Sequence, residues 1–139
     1  MKKSSKKSTP QNSTRAKAIA NGYRSGLEDK ISKVLTEAGV LFQYESLKIK
    51  YNVPAKDHSY CPDFVLFNNV IIETKGRFVT ADRQKHLLIK QQHPELDIRF
   101  LFSNAHAKVS KLSKTTYAMW ADKHGFKWAH RELPLEWLI

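Results

Sequence analysis

Residues 62–75 read PDFVLFNNVIIETK, two apolar runs separated by an Asn-Asn pair. The first run predicts a β-strand over 63–67, the second predicts a strand over 70–75, and the Asn pair predicts a two-residue turn between them. The continuous apolar residues at 70–72 are typical of a strand that is covered on both faces. The segment therefore predicts a buried β-hairpin at the centre of the fold.

Charged residues enter this hairpin at one end. Glu73 and Lys75 are two positions apart on the second strand, so their side chains project from the same face. Asp63 begins the first strand, and a turn at 68–69 places it opposite position 74, beside both. Charges in a covered strand are unfavourable unless they pair or hold a metal. We therefore expect Asp63, Glu73 and Lys75 to form the centre of an active site.

Two carboxylates and an ammonium suit the hydrolysis of a phosphodiester. Mg²⁺ prefers oxygen ligands and keeps several waters, so Asp63 and Glu73 with a substrate phosphate are enough to hold it. Such a metal activates water, while Lys75 stabilises the transition state or positions the attacking water. Because Glu-x-Lys is a common pattern, an ordinary Glu–Lys pair near a surface Asp stays open as the alternative. Glu28, in the first turn of a predicted helix, is either a further site carboxylate or only part of a helix cap.

The residues around the hairpin predict a compact α/β domain. Helices are expected over 25–39, 80–93 and 116–124, and further strands over 97–102 and 126–129. Residues 52–62 and 103–114 read as loops. The order α-β-β-β-α-β-α-β is typical of a mixed sheet covered by helices.

The extended stretch after the first predicted helix changes its phase. Apolar residues alternate at 40, 42 and 44, and then at 47, 49 and 51. A three-residue step in a period-two pattern predicts a bulge, a bend or a break near Glu45 and Ser46, or a place where the chain passes from one subunit to another.

The charge of the chain favours a polyanionic partner. Its 139 residues include 24 Lys and Arg against 13 Asp and Glu, a net charge of +11. Seven of these basic residues lie within the first 24 positions, which contain no acid. We therefore expect residues 1–20 to form a disordered basic arm ahead of a nuclease domain over 21–139, with a merely solubilising tail as the alternative.

Several classes of protein are disfavoured by the composition. No apolar run reaches the roughly 20 residues of a membrane span, and the Lys/Ser-rich start does not resemble a secretory signal. Cys61 is the single cysteine, so no internal disulfide is possible. A cytoplasmic protein with no membrane contact and no small-molecule cofactor is expected.

Basic residues outside the hairpin are candidates for contacts with DNA phosphates. They are Arg83, Lys85 and His86 on the second predicted helix, and Lys108, Lys111 and Lys114 in the following loop. A solvated surface is the alternative for both groups. The six histidines lack the spacing of a zinc site, and each is expected at the surface or in a loop.

Five motifs in order along the chain carry a family resemblance. They are RSGLEDK at 24–30, YCPDF at 60–64, ETKG at 73–76, DRQKHL at 82–87 and HPELDIR at 93–99. Together they resemble the bacteriophage T7 endonuclease I family, which comprises phage Holliday junction-resolving enzymes of the PD-(D/E)xK nuclease superfamily. The likeness extends from about residue 22 to Trp137, most of the chain.

The resemblance implies an endodeoxyribonuclease that cuts four-way and other branched DNA near the branch point during recombination. Mg²⁺ is the implied cofactor, and Mn²⁺ is expected to substitute for it. The implied active-site residues are Glu28, Asp63, Glu73 and Lys75. The backbone carbonyl of Thr74 is implied to help bind the metal, with Glu28 as a further ligand.

The resemblance also implies an intertwined, domain-swapped homodimer with composite active sites. Glu28 of one chain would join the other three residues of its partner across an extended bridge at about 44–52. If the chain is encoded by a phage, it acts in the cytoplasm of the host cell. Two alternatives stay open: a nuclease of the same superfamily that cuts linear or mismatched duplex DNA, and a non-catalytic basic DNA-binding protein.

Overall fold

A five-stranded mixed sheet with helices on both faces positions the candidate site. The structure is a computed structural model that describes residues 22–53 and 56–139. The predicted basic arm over 1–20 lies outside the described residues. Within them, no helix combines the length and the apolar character that crossing a membrane requires.

The chain forms three helices and two sheets within the described ranges. The helices are α1 (Gly26–Glu37), α2 (Thr80–Gln92) and α3 (Tyr117–Lys123), and a 3₁₀ turn (Leu135–Leu138) lies near the end of the chain. The strands are β1 (Phe42–Tyr44), β2 (Ile49–Val53), β3 (Lys56–Tyr60), β4 (Phe64–Leu66), β5 (Val70–Lys75), β6 (Asp97–Phe102) and β7 (Lys127–His130). The main sheet has the order β1-β4-β5-β6-β7, and β2 pairs with β3 alone.

The strand directions in the main sheet are mixed, as predicted. β5, β6 and β7 are parallel, whereas β4 is antiparallel to β5 and β1 is antiparallel to β4. The predicted α/β class, the three helices and the strands after α2 and α3 are confirmed. Parallel strands place their carboxyl ends at one edge of a sheet, so Lys75 at the end of β5 lies near the residues that follow β6 and β7.

Two apolar clusters cover the two faces of the main sheet. On one face, Ile31 and Leu35 of α1 pack on Phe64, Ile72 and Leu101. The cluster on the other face brings α2 and α3 against the sheet, and its fully or nearly buried members include Ile71, Phe78, Ile89, Phe100, Phe102 and Trp120. β5 contributes to both clusters, which explains its continuous apolar sequence.

The predicted hairpin is present, but its turn is longer than expected. Phe64 pairs with Ile72, and the backbone N–H of Asn69 donates to the carbonyl of Leu66 at 2.9 Å. Asn69 has φ = 69°, a left-handed conformation that Asn tolerates better than most residues. A three-residue turn over 67–69 replaces the predicted two-residue turn. The register shifts by one, so position 63 lies opposite Glu73 rather than position 74.

The prediction of a loop over 52–62 is wrong. The end of β2 and all of β3 lie in this range and form an antiparallel hairpin. The sequence of β3, KDHSY, is polar because most of the strand faces solvent; its buried residue is Tyr60. The His58 ring lies 5.7 Å from the Tyr51 ring across the hairpin. Cross-strand contacts thus hold a strand that hydrophobic patterning did not reveal.

The predicted break after residue 44 is confirmed. β1 ends at Tyr44, Glu45 has φ = 47°, and β2 begins at Ile49. The turn over 45–48 carries the chain from the main sheet to the β2–β3 hairpin. Within the single chain, β1 pairs with β4 of the same chain.

Candidate active site

The structure brings together all four residues that the sequence placed in the site. The backbone N–H of Asp63 donates to Oε1 of Glu73 at 3.3 Å, and Nζ of Lys75 lies 4.0 Å from Oε2 of Glu73. Glu28 comes from α1 of the same chain, and its carboxylate lies within 4.8 Å of that of Asp63. The end of the β4–β5 hairpin and the first turn of α1 therefore build one cluster.

Asp63 is held in place by the strand opposite. Its Oδ2 accepts hydrogen bonds from the backbone N–H of Thr74 at 2.9 Å and from Oγ1 of Thr74 at 3.0 Å. These two donors fix the orientation of a half-buried carboxylate. In the observed register Asp63 lies opposite Glu73 and next to Thr74.

Glu73 is an acidic side chain in an environment that disfavours its charge. It is 3% exposed, and the hydroxyl of the buried Tyr60 donates to its Oε1. Burial, with the added repulsion of Asp63, raises the pKa of Glu73 to about 8, although Lys75 and Tyr60 act in the opposite direction. A divalent cation would supply the positive charge that this pair of carboxylates needs.

Lys75 lies between two carboxylates. Its Nζ is 4.0 Å from Glu73 and 3.8 Å from Oδ2 of Asp82, in the first turn of α2. The Lys75 side chain is 16% exposed, so its ammonium is oriented yet accessible. Sequence reasoning missed Asp82, because an acid in the first turn of a helix is common for its favourable interaction with the helix dipole.

Glu28 is more than a cap residue. Ser25 Oγ accepts from the backbone N–H of Glu28 at 3.1 Å, so Ser25 is the N-cap of α1. The side chain of Glu28 turns away from the cap and accepts a hydrogen bond from the hydroxyl of Tyr44 on β1. Burial and the nearby Asp63 raise the pKa of Glu28.

Glu45 is a further carboxylate at the site that the sequence did not identify. Glu28, Glu45 and Asp63 each offer one oxygen, and these three atoms lie within 4.8 Å of one another. Glu45 also accepts from Nη1 of Arg24 at 3.1 Å. The phase change at residues 45–46 predicted a break in the strand. It did not predict that the side chain of Glu45 points towards the site.

The donor set fits Mg²⁺ or Mn²⁺. Every candidate ligand atom is an oxygen. Asp63 offers one oxygen to the group with Glu28 and Glu45, and its backbone N–H donates to Glu73. Hard divalent cations prefer such carboxylate groups, whereas the cluster contains no imidazole or thiolate that would favour zinc or copper.

Comparison with known proteins identifies the family. The model of the phage endonuclease I family matches residues 10–139. The chain belongs to this family. It is 51% identical over 116 residues to "Endonuclease I" of Escherichia phage T7, which covers 84% of this chain and 78% of that protein. It is also 51% identical over 113 residues to "Endodeoxyribonuclease 1" of Enterobacteria phage T3, covering 81% of this chain and 74% of that protein.

One predicted DNA contact in this phage endonuclease I chain is wrong. His86 is 0% exposed, and its ring centroid lies 4.9 Å from that of Phe100 and 5.4 Å from that of Tyr60. Neither ring nitrogen has a hydrogen-bond partner among residues 22–53 and 56–139, and burial lowers the pKa of His86 well below its ordinary value. The polar sequence of α2 concealed that His86 and Ile89 face the sheet, while Leu87 and Leu88 are only partly buried.

The other predicted DNA contacts have varied surroundings. Arg83 donates to the carbonyl of Phe78 at 2.5 Å and to Oγ1 of Thr80 at 3.0 Å, so it supports the start of α2. Nζ of Lys85 lies 5.2 Å from the centre of the Tyr60 ring. Lys108 and Lys111 are exposed. Their contacts with DNA stay predictions.

Proposed function

We propose that this phage endonuclease is a Mg²⁺-dependent endodeoxyribonuclease that hydrolyses phosphodiesters near the branch point of four-way and other branched DNA. The observation that carries the proposal is the meeting of Asp63, Glu73 and Lys75 at one end of a buried hairpin, with Glu28 beside Asp63. The two relatives are named an endonuclease and an endodeoxyribonuclease, which supports DNA as the substrate. The host cytoplasm is the compartment in which such an enzyme would act.

Each residue of the site has a distinct role in this proposal. Asp63 and Glu73 hold the metal, and the backbone carbonyl of Thr74 contributes a further oxygen. When bound, Mg²⁺ lowers the pKa of water and neutralises charge that develops on the phosphate. Lys75, oriented by its two carboxylate neighbours, donates a hydrogen bond to the attacking water or to a phosphate oxygen. Mn²⁺ is expected to substitute for Mg²⁺.

Glu28 extends the site towards α1. With Glu45 it provides two more carboxylate oxygens within reach of a cation that Asp63 also binds. Tyr44 orients Glu28 through its hydroxyl. We propose that these residues hold a second metal position or orient the water in the metal's shell.

We further propose that the enzyme is a domain-swapped homodimer. α1 and β1 connect to the rest of the chain through the turn over 45–48, where Glu45 has a positive φ. Opening of this turn would let α1 and β1 pack in the same way on a second copy, with residues 44–52 as the bridge. Each site would then combine Glu28 of one chain with Asp63, Glu73 and Lys75 of the other, and two sites at a fixed separation would nick both sides of a branch.

A substrate comparison tests the specificity. An immobile four-way junction, a linear duplex of the same sequence and a mismatched duplex are incubated with the enzyme in Mg²⁺ and in Mn²⁺. Paired nicks near the branch of the junction alone are expected. Equal cutting of the linear or mismatched duplex would contradict branch specificity, and salt-sensitive binding without any cleavage would indicate a non-catalytic binder.

Mixing two inactive variants tests the swap. Glu28→Ala and Asp63→Ala are refolded together. In a swapped heterodimer, one site carries both lesions and the other carries none, so nicking of one strand is recovered. If each site is built from a single chain, every site carries one lesion and the mixture stays inactive. A monomeric mass in solution would also contradict the swap.

A further inference from the structure

The carboxyl ends of β5, β6 and β7 place a second group of polar residues beside the active site. We call it the strand-end cluster, and it consists of Ser103, His106, His130 and Arg131. Lys75 pairs with Phe102, and Phe102 pairs with His130, so the ends of the three parallel strands are level. In open α/β sheets this edge is where ligands bind.

Hydrogen bonds tie the strand-end cluster to Lys75. The backbone N–H of Ser103 donates to the carbonyl of Lys75 at 3.0 Å. Nε of Arg131 donates to the carbonyl of Ser103 at 3.4 Å, and the backbone N–H of Arg131 donates to the carbonyl of Phe102 at 2.8 Å. Because neighbouring strands are about 5 Å apart, β7 lies about 10 Å from β5. The position of Arg131 is therefore set relative to the active centre.

Arg131 has features that a merely solvated arginine does not require. Its φ is 64°, a left-handed conformation that is uncommon for residues other than glycine, asparagine and aspartate. Its side chain is exposed, and no acidic side chain forms an ion pair with it among residues 22–53 and 56–139. With Nε engaged by Ser103, the two terminal nitrogens of the guanidinium are left to meet a ligand.

The two histidines present a further donor at the same place. Nδ1 of His130 accepts a hydrogen bond from the backbone N–H of Ala105 at 3.0 Å. The neutral ring therefore carries its proton on Nε2, which is a donor. The exposed His106 ring lies 4.9 Å from the His130 ring and widens the surface.

We propose that the strand-end cluster binds a phosphate of the DNA backbone close to the phosphate that is cut. This inference rests on the proposed function. The short distance follows from the spacing of about 10 Å between β5 and β7. A guanidinium fork matches two phosphate oxygens, and imidazole N–H and hydroxyl groups are ordinary donors to phosphate. The contact positions the backbone and reads no sequence.

A charge-matched pair of variants tests the strand-end cluster. Arg131→Asn removes the guanidinium and keeps a residue that tolerates positive φ. Lys127→Asn is the control, because Lys127 begins the same strand, is exposed, and lies at the opposite edge of the sheet. Both variants lose one positive charge. The dissociation constant for a four-way junction is measured in EDTA over a range of salt concentrations.

Arg131→Asn is expected to weaken binding several-fold and to lower the slope of log Kd against log salt by about 0.9, the value for one lost phosphate contact. Lys127→Asn is expected to leave the slope unchanged. Arg131→Lys keeps the charge and is expected to retain most of the wild-type slope. Equal slopes for Arg131→Asn and Lys127→Asn would overturn the proposal. If Arg131→Asn lowers the melting temperature, Arg131→Gly replaces it as the test variant, because glycine also tolerates a positive φ and also removes the charge, with the same expected fall in slope.

Cleavage by the wild type separates this inference from the proposed function. If the wild type cuts the junction and Arg131→Asn and Lys127→Asn have the same salt slope, the phosphate contact is refuted. The proposed nuclease activity is then unaffected. A wild type that binds but does not cut refutes the nuclease, while a slope difference between the two variants still supports the contact.

Discussion

His86 allows a quantitative prediction about stability below neutral pH. The ring is fully buried beside Tyr60, whose hydroxyl donates to Glu73, and within the part of the chain that the structure describes neither ring nitrogen is hydrogen-bonded. A buried polar group without a partner costs about 1–3 kcal/mol. His86→Leu replaces it with an apolar side chain of similar size, so the variant is expected to be about 1–2 kcal/mol more stable at pH 7.5.

The difference should grow as the pH falls. Burial lowers the pKa of His86 in the folded protein, whereas the unfolded chain titrates near 6.5. Below that pH the unfolded state binds a proton that the folded state does not, so the wild type loses about 1.4 kcal/mol per pH unit relative to His86→Leu. At pH 5.5 the advantage of His86→Leu is therefore about 2–3 kcal/mol.

Urea unfolding at pH 7.5, 6.5 and 5.5 measures this difference. Carboxylates that titrate in this range are common to both proteins and cancel in the comparison. His106→Leu, at an exposed position, is the matched control and should change the free energy of unfolding by less than about 0.5 kcal/mol at pH 7.5. A constant difference between wild type and His86→Leu from pH 7.5 to 5.5, or a variant less stable than the wild type, would refute the reasoning.

Three further predictions concern the active site. Tyr60→Phe removes the hydroxyl that donates to Glu73. In a Mg²⁺ titration, the concentration for half-maximal cleavage is expected to rise about 10-fold or more. An unchanged concentration would mean that Tyr60 contributes only to core packing. Asp82→Asn removes one of the two carboxylates beside Lys75 and should slow single-turnover cleavage about 10-fold without changing DNA binding in EDTA. The pKa of Glu73 is raised to about 8, and its carboxylate must lose a proton to bind a cation. Mg²⁺ affinity should therefore rise up to about tenfold per pH unit between pH 6.5 and 8 and then level off. A Mg²⁺ concentration for half-maximal cleavage that stays constant over pH 6.5–8.5 would contradict this.

Local sequence patterns predicted the elements that depend on local physics. The apolar run of β5, the strand over 97–102 and the three helices follow from periodicity and from local turn and cap signals. The spacing of Glu73 and Lys75 placed both on one face. Asp63 was found because a short turn must bring it back beside them.

The features that were missed depend on distant contacts. The positive φ of Asn69 added a residue to the turn and shifted the register, and β3 is polar because it has little core to face. His86 is buried because α2 turns that face of the helix towards the aromatic cluster on the sheet. Asp82 and Glu45 reach the site only through the packing of α2 and the turn after β1, which no spacing rule gives. The Thr74 carbonyl and the dimer stay predictions.

Glu73, as a metal ligand of a DNA-cleaving site, is the residue on which the proposed function depends most. The measurement that tests it most directly compares the wild type with Glu73→Gln on an immobile four-way junction, with binding and cleavage recorded in Mg²⁺ and again in Mn²⁺. The wild type should nick near the branch, while Glu73→Gln should bind equally well and cut more than roughly a hundredfold more slowly, beyond the loss typical of residues that only support a ligand. Cleavage by Glu73→Gln at the wild-type rate, or no cleavage by the wild type in either metal, would contradict the account.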